Sequence, residues 1–312
     1  MANGNRHSLY YVPETTYGVT PATPAFKYFR HNTTTLALAK NTLQSEEIRP
    51  DRQIVDFRMG TGQTGGEVVS ELAYGDFDDM LEALMMGTWT TNVLKVGTIR
   101  RSFTMLRRFE DLGGASPSNK NVQILTGMEL NTMSLQVTTE AIVQMTMGFV
   151  GQDMKLAAAN PTGATLAAAG TGLAMDSFTG TITEGGTAIA VITEIQLQVE
   201  NGIEPRYVVG SRSSIRPSSG RCTVTGQITA YFEDSYLLEK YINETTSNIE
   251  FTLMDGVGGN GIKFTLPRIK YTGGQTDVGG TGPITIPLPF QATYDATSGT
   301  TLAITRVPKA ST

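Results

Sequence analysis

Histidine and cysteine are almost missing from this chain. Of 312 residues, two are His and one is Cys. The lone thiol, Cys222, stands in a predicted strand and has no partner for an intrachain disulfide, so the fold does not depend on oxidising conditions. His7 and His31 both fall in the first 35 residues. Neither has a Cys or His neighbour at zinc spacing, and no Ser-His-Asp arrangement can be built around them. No catalytic, cofactor-binding or metal-binding constellation emerges, and the chain is read as a non-enzyme. Charged residues are scarce at 17%, against roughly 25% in soluble domains, which points to surface buried against neighbours. The net charge of −5 makes a basic nucleic-acid-binding face a poor starting assumption. No run of about 18 apolar residues exists, so no membrane-spanning helix is expected. The opening MANGNRHSLYYV lacks a hydrophobic signal core, so the chain is expected to start in a cytoplasm.

What is abundant is glycine, 34 residues, together with threonine, a composition suited to strands and frequent turns. The most informative pattern is a repeat. EVVSELAY (67–74) runs into the acidic helix start GDFDDMLEALMMG, and CTVTGQITAYF (222–232) runs into EDSYLLEKYI. In each, an aromatic (Tyr74 or Phe232) is followed two residues on by an aspartate (Asp76 or Asp234). Other segments recur in the same order. LQSEE (43–47) resembles LQVEN (197–201), with Arg52 and Arg206 each nine residues past the leucine. Phe103-Thr104-Met105-Leu106-Arg107 resembles Phe264-Thr265-Leu266-Pro267-Arg268. IVQMTMGFVGQD resembles ITIPLPFQATYD. Together they indicate an internal duplication.

Four regions follow. Residues 1–35 form an arm rich in Pro, Thr and aromatics (Tyr10, Tyr11, Tyr17, Phe26, Tyr28, Phe29). Its prolines exclude a regular helix or a central strand. It packs on its own body or on a neighbouring subunit, or else is a partly disordered terminus. Residues 36–155 are a first β domain. Its helix has Phe77, Met80, Leu81 and Leu84 on one face, Asp76 as candidate N-cap and Gly87 as stop. Residues 156–175 are nearly all small and read as a linker or exposed loop. Residues 176–312 are a second β domain, its helix capped by Asp234 or Ser235. Pro287 and Pro289 suit an edge strand paired on one side.

Several motifs have plain structural readings. GVGGNG (256–261) fits the letters of a dinucleotide fingerprint, but a strand follows it rather than a helix, so it reads as a hairpin turn. Asp76, Asp78, Asp79 and Glu82 lie at a helix start without a liganding loop, which helix-terminus electrostatics explains without a metal. Arg100, Arg101, Arg107 and Arg108 cluster around a strand and are read as intersubunit ion pairs. The sequons at Asn32 and Asn243 have no secretion signal to make them relevant.

Placed in order, these segments resemble a family, the major tail tube proteins of long, non-contractile bacteriophage tails (siphophages). YYVPETTYGVTPATP resembles its Glu-Thr-x-Tyr-Gly-x-x-Pro opening. SEEIRPDRQIVDFRMG (45–60) resembles a Ser-x-Glu-Ile-x-x-x-Arg segment. LQVENGIEPRYVVGSRSSIRPSSGRCTVTGQITAYFED and IPLPFQATYDATSGTTLAITRV fit later stretches, so the likeness covers nearly everything except the small-residue segment. It implies a mainly β fold of two tandem tube-like sandwich or open-barrel units, each with a short flanking helix. It implies a structural virion protein, assembled in the host bacterial cytoplasm, whose rings stack into a hollow tail tube for DNA ejection. Its partners would be copies of itself, the tape measure protein in the lumen, the tail terminator and tail-tip proteins, and passing DNA, with no membrane. Two units per chain imply a homotrimeric ring with pseudo-sixfold symmetry. The alternative is a hexamer in which one part forms the barrel and the other decorates it. A tail-tip, terminator or decoration protein with a related fold is the second functional class.

Overall fold

The computed structural model describes residues 3–112, 120–189, 191–278 and 280–309, with the backbone alone for Phe178 and Thr179. Residues 1–2 of the expected arm and 310–312 of the expected second domain lie outside that set. The protein is mainly β, a sandwich of open sheets with two short helices among the described residues, α1 (Asp78–Met85) and α2 (Tyr236–Ile242). Alternation dictates the strands. In Ile192–Glu200 the residues Ile195, Leu197 and Val199 are buried, while Gln196, Gln198 and Glu200 point to solvent, the period of a sheet with one wet face.

The two halves share one strand order. In the first, Ala37–Gln44, Phe57–Glu71, Gln144–Gly151, Val122–Thr138, Phe103–Phe109 and His7–Pro13 lie side by side, each antiparallel to the next. In the second, the sequence is Ile192–Glu200, Thr223–Tyr231, Thr285–Ala292, Gly261–Tyr271, Ser247–Met254 and Asp176–Glu184. A last strand, Asp153–Ala157 or Ala303–Val307, then pairs with the first part of the fourth. Details repeat as well. Gly66 stands opposite Phe149, and Gly226 opposite Phe290. A Cβ at Gly226 would lie 2.4 Å from the Phe290 ring, so the phenyl group occupies the space that the glycine leaves. A register shift falls between Phe103 and Met105 in one unit and between Ser247 and Ile249 in the other.

The units are joined by strand pairing. The second part of Val122–Thr138 runs antiparallel to Ile192–Glu200, from Thr132 opposite Glu200 to Thr138 opposite Glu194. One buried apolar core runs under both units. Asn201, buried at the end of this joint, donates to the carbonyl oxygens of Leu84 at 2.8 Å and Leu130 at 3.4 Å.

The structure changes the register of the repeat. Strand pairing makes Leu36 and Leu38, not Leu43, the equivalents of Leu197 and Val199. It equates Phe103–Phe109 with Ser247–Met254, so the match to 264–268 fails. It also sets Leu72, not Tyr74, level with Phe232. Short motifs drifted because loops of different length separate strands that pairing holds in fixed register. The match of 142–153 to 284–295 finds the equivalent strands but slips by one residue, because pairing sets Phe149 level with Phe290 and not with Gln291.

Of the alternatives for residues 1–35, the chain's own body is what they pack on. His7–Pro13 pairs with Phe103–Phe109 along its length. Tyr11 and Phe29 pack edge to face at 5.6 Å, and Phe29 meets Phe77 and Phe149 at 6.1 Å each. Residues 156–175 are largely exposed, but Thr165–Leu166 pairs with Ala25–Tyr28 and Met175 is buried. Pro287 and Pro289 face Thr229 and Gln227 on one side, while on the other Thr285–Ala292 pairs regularly only at its end, with Ile269–Tyr271.

Candidate functional site

Among the described residues the titratable side chains that line depressions, His7 with His31 and Arg107 and the acids of α1, are bonded to one another or to basic partners, and two surfaces stand out beside them. One is the outward face of the sheet that crosses both units. On its five central strands the solvent-side residues are Gln, Thr, Ser, Glu, Gly and Pro, ending in Tyr231. Gln136, Gln196 and Gln227 lie in one row across three strands. No Lys or Arg stands at the outward positions of these strands. An open depression of about 460 Å³ crosses the joint, walled by Ser134, Gln198, Thr225 and Gln291. The alternation that buries Leu135, Leu197 and Ile228 beneath sends these amides and hydroxyls outward.

Two hairpin tips form a second surface. They occupy the same place in each unit, between the first and second strands. Residues 45–56 carry Ile48, 96% exposed, and Ile54, 62% exposed. Residues 207–214, between Glu204–Arg206 and Ile215–Ser218, carry the fully exposed Val209. The hairpins touch. Gly62 N–H donates to the Arg212 carbonyl at 2.8 Å, and the Tyr207 hydroxyl donates to the Gly62 carbonyl at 3.4 Å. Isolated exposed apolar residues are ordinary, but a paired set at two adjoining tips marks a contact surface.

The charged clusters are spoken for within the chain, which corrects the intersubunit reading of the arginines. Arg100 and Arg216 both pair with the buried Glu129, pinning the second unit's hairpin to the first. Arg101 pairs with Glu82 and Arg108 with Glu110, each at 3.2 Å. Arg107 donates to the Leu36 carbonyl and to His7. The helix acids are also ion-paired: Asp76 with Arg30 at 2.6 Å, Asp79 with Lys27 at 2.5 Å and Asp78 with Arg306 at 2.6 Å. Burial raises the Asp78 carboxyl against the pull of Arg306. Asp76 does not cap α1, whose N-cap is Phe77 with no side-chain cap bond. The helix ends at Met86 in a left-handed conformation, one residue before Gly87. Ahead of α2, Asp234 accepts the Tyr236 N–H at 2.9 Å.

The remaining singled-out residues have structural places. GVGGNG closes the hairpin between Ser247–Met254 and Gly261–Tyr271, and a strand follows it, which removes the nucleotide reading. Burial pushes the Cys222 thiol up to about 11, so it is a poor nucleophile near neutral pH. The two histidines meet. His7 Nδ1 and His31 Nε2 are 2.9 Å apart, and His31 Nδ1 lies 3.0 Å from the Phe29 carbonyl. Arg107 donates to His7 Nε2, so one proton pattern satisfies the chain: Arg107 to His7, His7 to His31, His31 to Phe29. Sequence reading placed both histidines in the arm and had no means of pairing them. It also missed the apolar tips, whose signal was Ile48, Ile54 and Val209 standing among turn residues.

A duplicated β-sandwich with a polar outward face and apolar loop tips suits a protein that acts through its surfaces. The family comparison makes this specific. A family model described as phage tail tube protein matches residues 4–292, and the chain belongs to that family. It is a structural component of the virion tail. No curated protein matches it.

Proposed function

We propose that three copies of this chain form a pseudo-sixfold ring, and that rings stack into the tube of a long, non-contractile tail through which the genome passes to the host. The observation that carries this reading is the sheet face continuous across both units, whose five central strands hold no Lys or Arg at their outward positions, Lys270 standing beyond them opposite Gln291. DNA binding is driven mainly by cations at phosphates. A wall of amides, hydroxyls and a few carboxylates such as Glu194 and Glu200 offers phosphates nothing to hold, so DNA slides past it. The apolar hairpin tips serve ring-to-ring stacking, a heterologous contact that propagates along an axis. In the host cytoplasm the lumen first holds the tape measure protein, and terminator and tip proteins close the two ends.

Electron microscopy of the purified chain tests the assembly. Hollow tubes of stacked rings are expected, and a persistent inert monomer would contradict it. Virion stoichiometry separates a tube protein from a tip or terminator, because a single ring per particle would overturn the tube reading. The wall is tested by Gln196→Lys with Gln227→Lys: tubes still form, and genome release slows.

A further inference from the structure

The repeat breaks in two places, and the two breaks meet. In the second unit α2 ends at Ile242 and the next strand opens at Ser247. In the first, α1 ends at Met85 and the equivalent strand does not open until Phe103. The extra stretch carries a short strand, Val93–Lys95, and Trp89, the single tryptophan of the chain. The other break concerns the last strand of each unit. Among the described residues Asp153–Ala157 pairs only with Val122–Thr138. Ala303–Val307 follows the loop 293–302 and pairs on both sides, with Gly261–Tyr271 of its own unit and with Val93–Lys95 of the first.

The contact between the two additions is close and specific. Leu94, Leu302 and Ile304 are fully buried. Arg306 holds Asp78 of α1 at 2.6 Å, stands 3.9 Å over the half-buried Trp89 ring, and donates its backbone N–H to the Asn92 carbonyl at 2.8 Å. Lys95 donates to the Ser298 carbonyl at 2.6 Å, and the Val96 N–H donates to the Thr300 hydroxyl at 3.3 Å. Among the described residues no other strand pairs with Val93–Lys95. Without this strap the short strand loses its backbone partners, and Asp78 loses its cation.

We propose that residues 295–307 are a latch that orders residues 88–96 of the first unit, which stay open until the strap docks. The pairing of Val122–Thr138 with Ile192–Glu200 brings the units together, which removes most of the loop-closure cost of docking the strap. The bonded partners lie 203 to 228 residues apart, so the first unit is finished only after the second has been made. A chain still in synthesis has no finished first unit to offer a ring. That consequence rests on the tube reading, and the latch itself does not.

The tryptophan reads the latch in the full chain. Arg306→Glu sets a carboxylate against Asp78 and takes the cation from the Trp89 ring. The expected result is a red-shifted Trp89 emission and amide exchange at least about tenfold faster in residues 88–96. His7–Pro13 and Thr223–Tyr231 should keep wild-type protection, which reports that both units are folded. A staple then reverses the effect. In a Cys222→Ser, Arg306→Glu background, Val93→Cys and Thr305→Cys stand opposite each other in register, at a spacing a disulfide accepts. Oxidation should restore protection of 88–96, and reduction should remove it. Wild-type exchange of 88–96 in Arg306→Glu would overturn the latch, and so would a loss that the closed staple does not recover. Loss of protection throughout the chain would also overturn it, since the strap would then hold the whole fold and not one segment. Electron microscopy keeps the two readings apart. Tubes are expected from the oxidised staple and not from the reduced one, and tubes from the reduced chain with 88–96 open would overturn the link to assembly. A wild-type chain that shows the latch and forms no tubes would overturn the tube reading and leave the latch standing.

Discussion

The two helices occupy equivalent places in their units and have very different surroundings. α1 buries Met80, Leu81, Ala83, Leu84 and Met85, whereas α2 buries only Leu237 and leaves Tyr236 and Ile242 exposed. α1 lies at a joint that the chain has already made, with Asn201 of the second unit bonded to its Leu84 carbonyl. α2 packs beside Gly274, where no described strand supplies such a joint. The difference teaches that one fold repeated within a chain is buried unevenly, more completely where the other unit packs against it.

The tethers differ too. The second residue position before the end of the His7–Pro13 strand and the last of Asp176–Glu184 are equivalent, and hold Tyr11 and Glu184. Tyr11 donates to Asp79 of α1 at 3.1 Å. Glu184 is fully buried and takes Lys240 of α2 at 2.6 Å, with Ser247 and Tyr271 hydroxyls as further donors. Burial opposes charge on Lys240, yet its bonds to Glu184 hold the ammonium above its usual range.

Four substitutions or conditions sharpen this contrast in the unassembled chain. Leu84→Ala empties a fully buried site in α1 and should cost about 4 kcal/mol, while Leu237→Ala in α2 should cost about 2 kcal/mol. Urea denaturation compares them, and equal losses would break the contrast. Lys240→Met leaves Glu184 buried without its cation and should cost about 3 kcal/mol. Adding Glu184→Gln to that variant should recover part of the loss, which a mere packing defect would not.

Acid should act on the first unit through its histidine pair. Burial first, then Arg107 and His31, push His7 down to about 4, and burial lowers His31. The unfolded chain takes up these protons near the ordinary value of 6.5, before the folded chain does. Stability is therefore complete above that value and falls as pH drops toward about 4. Denaturation midpoints at pH 7.5 and 4.5 check the sign, and His7→Gln should narrow the gap between them. The smallest effect is that of Tyr11→Phe, about 1 kcal/mol, because Asp79 keeps Lys27 and only one hydrogen bond is lost.

Period-two alternation made the strands legible in the sequence. Ile195, Leu197 and Val199 announce which face is buried, and the polar partners between them announce the other. The helix positions were legible from Phe77, Met80, Leu81 and Leu84. The register of the repeat was not, because LQSEE and LQVEN match in letters while Leu36 and Leu197 match in hydrogen bonding. The arginines were misassigned because their partners, Glu82 for Arg101 and Glu129 for Arg100, lie on other elements. The joint was invisible for the same reason: nothing local to Ser134 or Gln198 says that they face each other.

The central claim is that each chain fills two positions around the tube. Cryo-electron microscopy of the assembled tube, with density traced through whole chains, tests it most directly. The account predicts three chains per ring, with the first and second units alternating around the lumen. Six full chains per ring, with one unit in the wall and the other outside it, would contradict it.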